Sequence, residues 1–296
     1  MAYLLALTSA ALYGAADFLG GLASRRASTI PIVIVSQVAG ILALVPLLLV
    51  LPASPARPDF IWGAVAGVAG SIGVGLLYRG LAIGQMAVVA PTTAVCAVML
   101  PVLVEAIRGE RLPVLTLAGI ALALVGIVLV SRSGPVTAGP NQPPLKLRRS
   151  AVAQAKAEGP ALRVAILSGV AIGFFFLSLA RTSPAAGLWP LLAARSVSFT
   201  LFGAIVLFGS RSVRMPRPVL TLTIACGFVD MLANALYLFA TRYGALSIVV
   251  TLSSLYPAST VVLARIVIGE RLTGAQAVGI GCALLAVIVI VGAPRW

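Results

Sequence analysis

The sequence predicts an all-α polytopic membrane protein whose ten transmembrane helices form two inverted five-helix repeats. Composition is the first observation: of 296 residues, 60% are hydrophobic and only 9% are charged. A soluble domain carries roughly 25% charged residues. The spacing of the charges and an internal repeat are the other two observations, and together they indicate a chain that folds in lipid.

Ten apolar runs lie between charged residues and Pro/Gly breaks, each close to the ~20 residues that cross a bilayer. In the first half the predicted spans are about 3–22, 30–51, 60–82, 86–107 and 113–131. In the second half they are about 162–181, 185–209, 218–241, 245–267 and 273–292. The N-terminus lacks the basic residues that precede the apolar part of a signal peptide, so the first run is expected to remain in the mature protein.

Residues 132–161 separate the halves. This segment contains "SGPVTAGPNQPPLKLRRS", whose prolines, glycines and basic residues are incompatible with a buried span. It is predicted to be a flexible basic linker between a first unit at 1–131 and a second at 162–296.

The two halves repeat at an offset of 160 residues. "GERLPVLTLAGIALALVGIVLV" at 109–130 aligns with "GERLTGAQAVGIGCALLAVIVI" at 269–290, and the same offset pairs Gly67 with Gly227. A constant offset that also matches loop residues indicates a duplication. Because five spans are an odd number, the second half must enter the membrane from the opposite side. Inverted repeats are typical of secondary transporters, whose sites lie near the midplane between the halves.

The charges and cysteines argue against several other classes. The net charge is +14, but the basic residues punctuate apolar runs and form no aromatic-interleaved patch, so lipid headgroups rather than nucleic acid are the expected partners. Cys96, Cys226 and Cys282 fall inside predicted spans, which argues against a disulfide framework. Without histidine or a cysteine pair at ligand spacing, no metal or other cofactor is expected.

The two "GERL" loops and the last helix after each resemble the EamA family of the drug/metabolite transporter superfamily. "SSLYPASTVVLARIVIGERLT", which contains Pro257, is also similar to that family. The resemblance covers nearly the whole chain outside the linker. It is weaker in the first half, where Ala97 takes the place of Pro257 and proline follows one turn later, at Pro101.

The resemblance implies a ten-helix exporter or importer of small polar metabolites. The first four helices of each half would surround a central cavity, with the fifth and tenth helices outside. Any kink in the fourth helix would differ from that in the ninth. Gly109 and Gly269 of the "GERL" loops are expected to end helices as left-handed caps, which favours a structural role for these loops over a substrate site.

Polar residues on one face of the eighth helix are the main site candidates. Asp230, Asn234 and Tyr237 follow one another at helical spacing. An ionised acid near mid-span costs ~2.5–3.5 kcal/mol on insertion scales, so Asp230 must face a cavity, a partner or a proton. Arg195, about midway along the seventh helix, is the predicted partner.

Two interpretations of the Asp230–Arg195 pair stay open. The pair could fix helix packing, although desolvation offsets much of the attraction between buried charges. Alternatively, Arg195 receives a carboxylate or phosphate of the substrate and Asp230 an amine. Asn234, Tyr237 and Tyr256 would then complete the substrate-binding site.

Asp17 is the acid of the first helix, within "LYGAADFLGGLASRR". It shares a face with Gly14 and Gly21, and a small-residue face points to other helices rather than to lipid. Asp17 could bond a neighbouring helix terminus or the Arg25–Arg26 pair. The alternative is a proton-coupling site, and the resemblance adds that small multidrug exporters of the same superfamily use a first-helix carboxylate for proton exchange.

The sequence therefore predicts a secondary transporter that moves a small polar metabolite or drug-like solute across the inner or plasma membrane by alternating access. Proton coupling and a homodimer are further options. An uncoupled facilitator or exchanger is the nearest alternative. An intramembrane enzyme is a less favoured alternative, since hydrolysis would need Asp17 and Asp230 to be adjacent. A membrane sensor is also less favoured, because no soluble domain that would transmit a signal is expected.

Two arguments about membrane orientation disagree. The family resemblance implies a cytoplasmic N-terminus, which would place fourteen Lys and Arg outside and six inside, with Arg195 left in the membrane. The positive-inside rule favours the opposite arrangement. The linker is therefore predicted to be cytoplasmic, with both termini outside.

Overall fold

A computed structural model describes residues 2–107, 114–130, 144–179, 181–209, 214–243, 252–253, 255–269 and 273–292. Its α-helices are α1 (Ala2–Ser24), α2 (Thr29–Val50), α3 (Arg57–Ile83), α4 (Met86–Ile107), α5 (Val114–Val130), α6 (Pro144–Leu179), α7 (Trp189–Phe208), α8 (Arg217–Tyr243), α9 (Tyr256–Leu263) and α10 (Gly274–Gly292). A 3-10 turn at Pro184–Ala186 precedes α7, and a π turn at Ala264–Ile268 follows α9. Within the described ranges the fold is all-α, as predicted.

Six stretches are long and apolar enough to cross a membrane. They are α1, α2, α3, α7, residues 159–179 of α6 and residues 217–240 of α8. The described parts of the other four spans contain shorter apolar helical segments, namely Met86–Ala97, Leu117–Gly126, Tyr256–Ile268 and Gly274–Val289. The protein is therefore a multi-pass membrane protein.

The structure differs from the sequence-based prediction in the linker. Residues 144–161 are helical and continue into the sixth span, so that α6 starts at Pro144. The physical reason is local composition, because "AVAQAKAE" at 151–158 consists, apart from one valine, of alanine, glutamine, lysine and glutamate, which favour helices. Residues 131–143 of the predicted linker lie outside the described residues.

The ninth predicted span, 245–267, is described in part, and α9 within it starts at Tyr256. Pro257 lies in the first turn of α9, where its missing N–H would have no partner in the helix. Gly269 ends the π turn with φ of 70°, which confirms the predicted left-handed cap. Gly109 and the Glu-Arg dipeptides of both "GERL" loops lie outside the described residues.

The most extensive helix contacts join the first helix of each half to the other half. α1 packs on α8 and α9, α6 packs on α3 and α4, α2 packs on α8, and α7 packs on α3. Close approach depends on glycine: a methyl at Gly67 would meet the backbone of Ala194, and one at Gly227 the carbonyl of Ser36. Positions related by the repeat thus make corresponding contacts.

Buried hydroxyls reinforce this correspondence. Ser9 of α1 donates to the carbonyl of Ala233 in α8, and Ser168 of α6 donates to the carbonyl of Gly73 in α3, each at 2.8 Å. The two bonds match to within one residue of the repeat offset. α5 packs on α10, away from the helices that these bonds join.

Apolar clusters lie at both ends of the bundle. One end, where α1, α3 and α5 finish and α6 approaches from the linker, is called the linker side. Its fully buried side chains include Leu81 and Met86. At the opposite end, Leu44 packs with Leu188 and Leu191. The polar residues of the candidate site lie between these clusters.

Candidate functional site

The guanidinium of Arg195 is the centre of a largely buried polar cluster formed by three helices. Its Nη2 bonds and ion-pairs with Oδ2 of Asp230, and its Nη1 donates to Oε1 of Gln37 at 2.6 Å. The side chains of Arg195 and Asp230 are 13% and 21% exposed. The predicted pair therefore exists, and Gln37 of α2 connects it to the first half of the chain.

Asn234 orders the acid from the next helical turn. Its Nδ2 donates to the backbone carbonyl of Asp230 at 2.8 Å and to Oδ2 of the same residue at 3.3 Å. The spacing of four residues along α8 thus places both side chains on one face, as the sequence predicted. Asp230 is held both across the helices and along its own helix.

A small cavity adjoins this cluster. Its lining residues come from α2, α3, α7 and α8: Ser36, Gln37, Val74, Tyr78, Arg195, Gly227 and Asp230. The accessible volume is about 10 Å³, which holds about one water molecule. Any larger solute therefore requires the surrounding helices to separate.

Tyr78 of α3 lines the cavity at its linker-side end and contacts both α1 and α8. Its ring occupies the space left by the missing side chain of Gly20 in α1. Its hydroxyl hydrogen-bonds with Sγ of Cys226 in α8 at 3.0 Å, and that thiol donates to the carbonyl of Ala16 at 3.3 Å. Because position 20 is glycine, the ring of Tyr78 packs directly on the backbone of α1.

Asp17 is half-buried on α1. It makes no hydrogen bond or ion pair with any residue that the structure describes. The preceding residue, Ala16, accepts a hydrogen bond from Cys226 of α8, one helical turn before Asp230. Arg25 does not bond it and instead donates to the carbonyls of Leu81 and Gly84. The interpretation of Asp17 as an acid bonded to a basic residue therefore finds no support in the described part of the chain.

The two tyrosines predicted for the site contact other aromatic rings. The Tyr237 ring lies 6.3 Å from that of Phe176 of α6. The Tyr256 ring lies 6.3 Å from that of Tyr13 of α1, edge to face. Neither residue lines the small cavity. They form aromatic contacts between α6 and α8 and between α1 and α9.

Sequence reasoning missed Gln37, Ser36 and Tyr78. Gln37 is only 3% exposed and is a lone amide in the apolar run "IVIVSQVAGIL". Buried polar groups inside membrane spans are functional candidates by default, so this signal was available. Tyr78 lies near the end of its span, where a tyrosine is more often an interfacial anchor, so its position alone does not indicate a site.

The comparisons with known proteins agree with this architecture. The model of the EamA-like transporter family matches residues 1–132 and 159–292. The comparison with curated proteins gives no match. A solved structure titled "Crystal structure of protein" is similar over 98% of this chain and 97% of its own, with 16% sequence identity and a TM-score of 0.58, a likeness of fold alone. The family match covers both halves of the chain, which therefore belongs to the EamA-like transporter family.

Proposed function

We propose that this transporter binds a small polar solute at the Gln37–Arg195–Asp230 cluster and moves it across the inner or plasma membrane by alternating access. The observation that carries the proposal is a largely buried ion pair beside a cavity, built from helices of both halves. A buried ion pair contributes little net stability, so stability alone explains poorly why this one is there. A solute that replaces one partner of the ion pair during transport would explain why the pair is present.

The chemistry of the cluster favours a solute with an anionic group and a cationic or hydrogen-bonding group. A carboxylate or phosphate would replace Asp230 at the guanidinium of Arg195, since arginine binds such groups through two parallel bonds. An amine would take the freed carboxylate of Asp230, which Asn234 keeps oriented. Tyr237 and Tyr256 would serve as amphipathic walls once the helices separate.

The helix contacts support an inverted relationship between the halves. In each half the first helix packs on the third and fourth helices of the other half, and the second helix packs on the third of the other. Two conformations that exchange the roles of the halves would open the same site alternately to each side. The apolar clusters at both ends of the bundle would then be the contacts that separate in turn.

Asp17 is the proposed proton-coupling residue. Its carboxyl lacks a hydrogen-bonding partner among the described residues, and the neighbouring Ala16 is bonded to α8 one turn before Asp230. A charge on one acid would therefore oppose a charge on the other. Release of Asp230 from Arg195 would strengthen this opposition and favour a proton on Asp17. Solute binding and proton binding would thereby be linked.

An exchanger without ion coupling is the second candidate. The bonds from Arg195 to Gln37 and Asp230 connect α7 to α2 and to α8. Without a solute to replace them, these bonds would hold the closed conformation. Such a carrier changes conformation only when loaded, which is the behaviour of an exchanger.

The test starts with purified protein and a panel of metabolites, scored by thermal stabilisation. Metabolites that stabilise the protein are then tested for counterflow in proteoliposomes. The matched variant is the double substitution Arg195→Gln with Asp230→Asn, which leaves neither charge unpaired. The proposal expects saturable counterflow for the wild type and none for the variant. Counterflow that is equal in both would show that the solute does not use this cluster.

A further inference from the structure

Helices α1–α4 of the first half and α6–α9 of the second form two packed groups, and each group contains two helices from each half. The first group contains α3, α4, α6 and α7, and the second contains α1, α2, α8 and α9, since these helices share the most extensive contacts. Within the first group, Asp59 at the start of α3 accepts a hydrogen bond from the backbone N–H of Ser183 at 2.6 Å. Ser54 also donates through its backbone N–H to the carbonyl of Ala185 at 2.9 Å. The α6–α7 connection is thus tied to α3 and its approach.

Other bonds cross from one group to the other on the linker side. Arg25, just after α1, donates through Nε to the carbonyl of Leu81 at 3.0 Å and through Nη2 to the carbonyl of Gly84 at 2.9 Å. Both carbonyls belong to the end of α3, where the last carbonyls of a helix lack partners and attract cations. One side chain therefore joins α1 of the second group to α3 of the first.

The packing beneath Arg25 is complementary in shape. Tyr78 fills the space over Gly20, and Gly21 lies against Leu81 and Met86. Tyr78 also lines the central cavity. Tyr78 therefore connects the lining of the cavity to the contact between the end of α1 and the end of α3.

We propose that the end of α1 is the linker-side gate of this transporter and that Arg25 is its latch. The proposal rests on the transport function proposed above, and it adds the residue that controls opening to one side. The repeat gives no equivalent on the opposite side, because position 185, 160 residues after Arg25, is alanine. Loss of the latch should therefore favour opening to the linker side alone.

A cysteine at Ser36 reports on the gate without any solute. Ser36 lines the cavity and is 3% exposed, so a membrane-impermeant maleimide reaches it only when a gate opens. The reporter is placed in full-length protein with Cys96, Cys226 and Cys282 changed to serine. Labelling rates are measured in right-side-out and inverted membrane vesicles, so that each face is probed separately.

Arg25→Gln removes both charge-assisted hydrogen bonds to the end of α3. The labelling rate from the linker side should rise by at least about tenfold, the factor expected for the loss of one such bond. Labelling from the opposite side should fall or stay unchanged. Arg26→Gln is the matched control, since Arg26 is an exposed neighbour of equal charge, and it should leave both rates unchanged. An unchanged rate for Arg25→Gln, or an equal rise from both sides, would overturn the proposal.

Gly20→Ala tests the same gate without touching the latch. The added methyl would collide with the ring of Tyr78, so it should also raise labelling from the linker side. If this variant folds and leaves the rate unchanged, the contact is not a gate. Absence of solute counterflow in the wild type would contradict the transport function instead, and the labelling result does not depend on it.

Discussion

Arg195 of α7 is paired with Asp230 of α8, and its second nitrogen is taken by Gln37 of α2. The pair thus joins a helix of one packed group to two helices of the other. Both partners lie beside the central cavity. Removing a charge from Arg195 or Asp230 would therefore break a contact between the two packed groups.

Removal of either charge should abolish solute binding and also destabilise the fold. Truncating one partner of a buried pair costs about 3–5 kcal/mol because the other charge is left uncompensated. The double variant Arg195→Gln with Asp230→Asn should recover most of the thermal stability, since both charges are gone, but should not recover binding. Thermal unfolding and counterflow measured on all three variants check this. Recovery of counterflow in the double variant would show that the pair is structural.

Asp17→Asn should separate proton coupling from transport. Asparagine has nearly the same shape and cannot bind a proton at neutral pH, so uptake driven by an imposed pH gradient should disappear while counterflow of solute survives. Asp59→Asn is the control acid, since Asp59 holds the α6–α7 connection through the N–H of Ser183. It should lower thermal stability and leave pH-driven uptake coupled. Equal pH-driven uptake in Asp17→Asn and the wild type would remove Asp17 from the mechanism.

Gly227→Ala should weaken the contact between α2 and α8. The new methyl would collide with the carbonyl of Ser36, which is backbone and cannot rotate away, so a loss of roughly 1–3 kcal/mol is expected from overpacking. Gly203→Ala in α7 is the matched control, because nothing lies within 4 Å of its added methyl and alanine favours helix. Thermal unfolding of the two variants should differ clearly. Equal stability of the two variants would mean that the contact between α2 and α8 has room for the extra methyl group.

The orientation prediction rests on the positive-inside rule. A single cysteine replaces Ser150 in a variant without Cys96, Cys226 and Cys282, and intact cells are treated with an impermeant maleimide. With a cytoplasmic linker, Ser150→Cys should be labelled only after the cells are permeabilised. Labelling of intact cells would instead place the linker outside and support a cytoplasmic N-terminus.

Periodicity and the internal repeat were sufficient to predict the helical membrane fold and the contact between Arg195 and Asp230. Each is a local or pairwise property: apolar length, helical spacing on α8, and the cost of an isolated charge in lipid. The prolines and basic residues of 132–161 indicate a flexible segment, but the helix propensity of residues 151–158 extends α6 back to Pro144.

The remaining site residues depend on tertiary contacts that spacing does not encode. Gln37 joins the cluster only because α2 crosses both α7 and α8. Tyr78 reaches the cavity because Gly20 of another helix leaves room for its ring. Helical spacing predicted Tyr237 at the site, and residue type predicted Tyr256, but their rings contact Phe176 and Tyr13. No sequence period carries information about those crossings.

Labelling of a cysteine at Val74 from each face of the membrane tests alternating access most directly. Val74 lines the central cavity, and the Val74→Cys variant would carry serine in place of the three native cysteines. Alternating access predicts labelling by an impermeant maleimide from either face, with a bound solute slowing both rates. Labelling from one face only, or from neither, would contradict alternating access at this cavity.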